Sequence, residues 1–127
     1  MVKIGLDYGR KKTGVAVYRQ GLVLPSEAVF GPWKKILERL GELACDYDGI
    51  EIVLGLPLSA LGKPTELSME VESFADKLRE TGYSVELVNE VGTSAAAVRL
   101  LGKKDRKGRV DSMAACEILK RFLNIYE

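Results

Sequence analysis

The stretch "KIGLDYGRKKTGVAV", residues 3–17, decides how the chain folds. Its first half is an apolar run that ends in an acid, Asp7. The chain then turns through Gly9, passes Arg10, Lys11 and Lys12, and leaves through Gly14 on a second apolar run. Two such runs around a glycine-containing turn read as neighbouring antiparallel strands. Residues 14–30, "GVAVYRQGLVLPSEAVF", supply two strands around a turn at Arg19-Gln20-Gly21, so a three-strand meander opens the chain. An acid at the end of a strand that otherwise reads as buried needs a partner. Gly5 leaves room for one on the same side of the strand as Asp7, since residues two apart share a face.

Outward from this core the period changes. "PWKKILERLGELACDY" sets Trp33, Ile36, Leu37, Leu40, Leu43, Ala44 and Tyr47 on one helical stripe, with Pro32 at its start. "IEIVLGLP" reads as a short apolar strand ended by Gly55 and Pro57, followed by the loop "LSALGKP". Residues 65–80 form a helix with Leu67, Val71, Phe74 and Leu78 inward, Thr65 as cap and Gly82 as stop. "SVELVNE" is a further strand, "SAAAVRLLG" a short helix, and residues 111–125 a last helix. A meander followed by alternating helices and strands predicts an α/β fold: one mixed sheet with helices on both faces. With 127 residues and 46% hydrophobic content, the chain reads as one domain, residues 1–127.

Composition removes several chemistries. Histidine is absent, which excludes Ser-His and Cys-His nucleophiles, His general bases and most zinc sites. Cys45 and Cys116 lack metal-type spacing and fall in apolar helical patterns, so both are expected to be reduced core thiols. No signal-peptide pattern or membrane-length apolar run is present, and a cytoplasmic location without membrane attachment is expected. The net charge of +1 gives no global pull toward polyanions. Its distribution does, because residues 103–109, "KKDRKGR", hold five cations and one anion. Such a run by itself is often only a solvated loop.

Three acids stand at element ends: Asp7 after the first strand, Glu90 after the last, and Asp111 at the head of the final helix. Ligand sites of open α/β sheets lie beyond the carboxyl ends of the parallel strands. Asp111 continues the helical stripe of Ala114, Ala115, Ile118 and Phe122, and the two alanines let that helix approach the sheet. Three converging carboxylates repel one another unless a cation sits among them, and Mg²⁺ or Mn²⁺ suits all-oxygen donors. Each acid also has a plain structural reading. Asp111 can serve as an N-cap, and Glu90 can complement a helix dipole.

Four motifs, "IGLDYGRKKTGVAV", "IVLGLP", Glu90 with Thr93-Ser94, and "KGRVDSMAACEIL", resemble the YqgF (RuvX) family across essentially the whole chain. These RNase H-like bacterial proteins are provisionally described as pre-16S rRNA nucleases and as Holliday junction resolvase homologues. The resemblance implies a five-stranded sheet with the second strand antiparallel. It also implies that Asp7, Glu90 and Asp111 are catalytic acids that bind metal, two ions of Mg²⁺ or Mn²⁺. One departure stands out: this chain reads Asn89-Glu90-Val91-Gly92 where the family usually has Asp-Glu-Arg before its Thr/Ser pair.

The expected activity is therefore metal-dependent phosphodiester hydrolysis, most simply in maturation of the 5′ end of precursor 16S rRNA during ribosome biogenesis. Arg10, Lys11, Lys12, Lys103, Lys104, Arg106, Lys107 and Arg109 are the expected nucleic-acid contacts. Thr93 and Ser94 are weighed as phosphate contacts against capping roles, and Tyr8 as a stacking ring against a packing one. Two alternatives stay open: a resolvase of four-way DNA in recombination and repair, and a non-catalytic RNA- or ribosome-associated binding module. An actin-like nucleotide-binding reading lacks the second fold it needs and any "GKS" or "GKT" motif. The chain is expected to act as a monomer or weak homodimer, with precursor rRNA, a ribosome precursor or branched DNA as partner.

Overall fold

The computed structural model describes residues 1–91 and 109–124, and the side chains of Val91 and of residues 109–111 lie outside that description. In chain order the elements are β1 (Val2–Asp7), β2 (Lys12–Arg19), β3 (Leu22–Pro25), β4 (Val29–Phe30), α1 (Trp33–Asp46), β5 (Ile50–Leu58), α2 (Glu66–Glu80), β6 (Ser84–Val91) and α3 (Arg109–Leu123). The expected short helix after Glu90 falls outside the described residues. So do Thr93, Ser94, Lys103, Lys104, Arg106 and Lys107.

The sheet order is β3-β2-β1-β5-β6, with the two-residue β4 pairing β2. β1 is antiparallel to β2 and parallel to β5, and β5 is parallel to β6. The mixed sheet with an antiparallel second strand is thus as expected, and β4 is an addition to the five expected strands. β4 exists because Thr13 and Lys12 pair with Val29 and Phe30, and the Gly31 amide donates to the Lys11 carbonyl at 2.8 Å. The turn between β2 and β3 has Gln20 and Gly21 at φ of 52° and 83°. A two-residue hairpin turn of type I′ needs positive φ at both central residues, which glycine adopts freely.

Side chains alternate across the strands and sort the core into two layers. Ile4, Leu6, Ile52, Leu54 and Val85 pack with Ile36, Leu40 and Leu43 of α1 and Val71, Phe74 and Leu78 of α2. On the opposite face Ala16 and Val53 meet Ala115, Cys116, Ile118 and Leu119 of α3. α2 begins as expected at Thr65, whose hydroxyl accepts from the Ser68 amide at 3.0 Å while Ser68 Oγ accepts from the Thr65 amide at 2.8 Å. α3 lies so close to β1 that a Cβ at Gly5 would stand 2.6 Å from Leu119 Cγ and 2.8 Å from the Ala115 carbonyl oxygen. The room beside Gly5 is filled by this helix.

Three expectations need correction. Gly55 and Pro57 do not end β5, which runs on to Leu58. β1 pairs with β5 only as far as Leu54, while β6 follows β5 to Leu58. Beyond Leu54, therefore, no described strand pairs with β5 on the side of β1, a setting in which a proline's missing N–H is tolerated. α3 begins at Arg109, so Asp111 stands within its first turn and is not the residue preceding it. Cys45 is exposed, whereas Cys116 is buried, and burial pushes its thiol up to about 11. The helical stripe of α1 passes beside Cys45 through Leu43 and Ala44 instead.

Candidate active site

Asp7 closes β1, opposite Gly14 of β2. Its strand position puts it on the same face as Gly5, the face that α3 covers. The turn that follows is held by Thr13, a fully buried residue whose Oγ1 accepts from the Gly9 amide at 3.2 Å and donates to the Gly9 carbonyl at 3.3 Å. A Cβ on Gly9 would run into the Lys12 carbonyl, so this tight return accepts only glycine. The backbone that carries Asp7 is thereby fixed from both sides.

Glu90 is the penultimate residue of β6 and lies opposite Pro57 of β5. On this face β5 stands between Asp7 and Glu90, and parallel neighbours two strands apart are separated by roughly 9–10 Å. Gly55 closes that gap. It carries no side chain, and Glu90 Oε2 reaches to within 2.9 Å of the point its Cβ would occupy. Ile118 of α3 reaches the same point, with Cδ1 2.5 Å from it. The Glu90 carboxyl thus lies across β5 toward Asp7, under the apolar side chain of the helix.

This placement changes its acidity. Burial first, then the negative charge of Asp7, and more weakly that of Glu117, push the Glu90 carboxyl up to about 7, and Arg121 opposes them. Burial and a second acid close by both disfavour the charged form of this carboxyl, and perturbed carboxyls of this kind cluster at functional sites. Two half-buried carboxylates that repel each other fit the donor chemistry of a hard divalent cation. Among the described residues no third Asp, Glu, Cys or His joins them. The backbone of Asp111 stands one turn before Ala114 and Ala115, on the stripe that packs against the sheet.

Ser112 was not singled out by the sequence and proves structural to the site. It is fully buried, and its Oγ accepts from the Val15 amide at 3.0 Å, tying the first turn of α3 to β2. A serine amid apolar residues one position after a candidate acid was the available signal. Among the expected nucleic-acid contacts, Arg10, Lys11 and Lys12 are exposed on the turn after Asp7. Arg10 Nε donates to Glu70 Oε2 of α2 at 2.7 Å, a partner that sequence reading missed. Tyr8 is buried, its ring 5.1 Å from that of Phe74, and its hydroxyl donates to Glu70 Oε1 at 3.2 Å. Its role is packing, and the stacking alternative falls away.

The strand order and the placement of the helices define an RNase H-like α/β fold. Thermus thermophilus RuvC in complex with a Holliday junction substrate superposes with a TM-score of 0.57 at 18% identity, over 93% of this chain and 89% of that one. A second structure of T. thermophilus RuvC gives 0.52 at 14% identity, over 98% and 95%. The family model described as RuvX, Holliday junction resolvase, matches residues 1–125, and the chain belongs to that family. A protein of Bordetella parapertussis provisionally named a pre-16S rRNA nuclease is 34% identical, over 95% of this chain and 92% of its own length. One of Chlorobaculum tepidum with the same name is 31% identical, over 95% and 92%.

Proposed function

We propose that the chain is a divalent-metal-dependent nuclease that matures the 5′ end of precursor 16S rRNA. The observation that carries the reading is the Glu90 carboxyl, laid across Gly55 toward Asp7 and raised to about 7. The names of its curated relatives support the substrate. Asp7 and Glu90, joined by Asp111 from α3, are the residues that would hold Mg²⁺ or Mn²⁺. When bound, such ions activate a water for in-line attack and neutralise charge on the leaving oxygen. Arg10, Lys11 and Lys12 draw the phosphodiester backbone to the same end of the sheet and offset the acids' repulsion of a polyanion. The cations of residues 103–109 precede Asp111 in the chain and serve the same purpose.

A four-way DNA junction is the second reading, supported by the family's description and by the RuvC complex. Symmetric resolution of a junction needs paired sites in a dimer, whereas end trimming needs one site. The test is cleavage of a precursor 16S rRNA fragment and a synthetic junction side by side, with Mg²⁺ or Mn²⁺. The proposal expects rRNA cleavage that Asp7→Asn and Asp111→Asn abolish. Preferential junction cleavage would transfer the activity to the second reading. Equal cleavage by wild type and both variants would overturn the nuclease assignment.

A further inference from the structure

Glu70 faces the end of β1 from α2 and receives one hydrogen bond on each carboxylate oxygen. The Tyr8 hydroxyl donates to Oε1 at 3.2 Å, and Arg10 Nε donates to Oε2 at 2.7 Å. Tyr8 itself is immobilised, with its ring buried against Phe74 of the same helix. Burial, reinforced by the charge of Glu70, pushes the phenol above its usual range, so it remains a proton donor. Glu70 is therefore held from below by a fixed donor and holds Arg10 from above. The Arg10 side chain is 63% exposed, which leaves the outer part of the guanidinium open to solvent.

An exposed ion pair of this kind adds little to stability. Its effect on the shape of Arg10 is larger. A guanidinium has two edges able to grip a phosphate, and engaging Nε commits one of them and fixes the plane. The bond to Glu70 uses Nε, and the two terminal nitrogens form the second edge of a largely exposed side chain, on a residue two and three positions along the chain from Tyr8 and Asp7. A lone carboxylate beside a polyanion site would only repel it. A carboxylate spent on orienting an arginine contributes to binding instead.

We propose that Glu70, braced by Tyr8, is a positioning residue that orients Arg10 to grip a backbone phosphate of the substrate strand. This rests on the reading of residues 10–12 as the nucleic-acid contact of a nuclease. The two ideas separate in one experiment. Binding of a labelled RNA spanning the precursor 16S 5′ end is measured for wild type, Arg10→Ala, Glu70→Ala, Glu70→Gln and the Arg10→Ala/Glu70→Ala double variant. KM and kcat are measured alongside, and a thermal melt of each variant reports folding.

Arg10→Ala should weaken binding about tenfold, and Glu70→Ala about threefold to tenfold, the scale of one charge-assisted hydrogen bond. The loss should fall on KM more than on kcat, with Glu70→Gln between Glu70→Ala and wild type. The double variant should bind no worse than Arg10→Ala, because Glu70 acts through that side chain. Tighter binding by Glu70→Ala would make Glu70 a merely repulsive charge and overturn the proposal. Unchanged binding, or additive losses in the double variant, would overturn it too. Wild-type binding that Arg10→Ala leaves intact would remove Arg10 from the interface while sparing the nuclease reading. No binding by wild type would count against that reading itself.

Discussion

At the scale of single residues, the site depends on an absence. Gly55 lets Glu90 cross β5, and a methyl group there would meet Glu90 Oε2 at 2.9 Å and Ile118 Cδ1 at 2.5 Å. Gly55→Ala should therefore weaken Mn²⁺ binding by about tenfold to a hundredfold, the usual cost of disturbing a ligand's support. Gly5→Ala is the control. Its methyl would strike Leu119 and the Ala115 carbonyl with no acid in the way, so it should lower the melting temperature and spare metal affinity. Equal losses of affinity in both variants would refute the role given to Gly55.

Glu90 makes a second prediction through its acidity. Its folded pKa of about 7 lies above the ordinary carboxylate value of 4.5, so the folded state holds the proton more tightly than the unfolded chain. The contribution of Glu90 to the stability of the metal-free protein should accordingly be fully present below the ordinary value. It should fall as pH rises through the window up to about 7, and then level off. Glu90→Gln removes that fall. In EDTA it should unfold about 1–3 kcal/mol less readily than wild type at pH 8 and match it at pH 4, by denaturant titration. A gain that is the same at both pH values would mean that Glu90 is not under charge strain.

At the scale of elements, α3 must hold its first turn against the sheet for Asp111 to belong to the site. Ser112 performs that task through the Val15 amide. Ser112→Ala would leave a buried N–H without its acceptor and should cost about 1–3 kcal/mol of stability, measured by chemical denaturation. A variant as stable as wild type would show that the helix is held by packing alone.

The elements also show how far the sequence could be read. The β1-turn-β2 stretch was legible because its two apolar runs, its turn glycine and its terminal acid all agree with the structure. The stripes of α1 and α2 were legible for the same reason, down to Thr65 as the cap. Gly55 and Pro57 misled because both usually break strands. Only the topology reveals that β5 overruns β1 and that α3 crosses directly above Gly55. Cys45 was misplaced because it sits beside the buried stripe of α1, where one position separates core from solvent. The Glu70–Arg10 pair joins residues sixty positions apart, and no local pattern announces such a contact.

At the scale of the whole molecule, net charge is uninformative and its placement is not. The cations at residues 10–12 follow Asp7, and those of residues 103–109 lead into α3. Replacing Lys103, Lys104, Arg106 and Lys107 by Gln should weaken RNA binding and flatten its logarithmic salt dependence by as much as about three. An unchanged slope would exclude that segment from the interface. No helix among the described residues is long and apolar enough to cross a membrane.

The proposed nuclease activity requires that Asp7, Glu90 and Asp111 together hold divalent metal at one rim of the sheet. Titration calorimetry of Mn²⁺ into the wild-type chain and into Asp7→Asn, Glu90→Gln and Asp111→Asn tests it without recourse to any substrate. Wild type should bind saturably and each variant should lose at least about tenfold in affinity, since each removes a charged donor. Wild-type affinity retained by Asp111→Asn, or by Asp7→Asn, would contradict it.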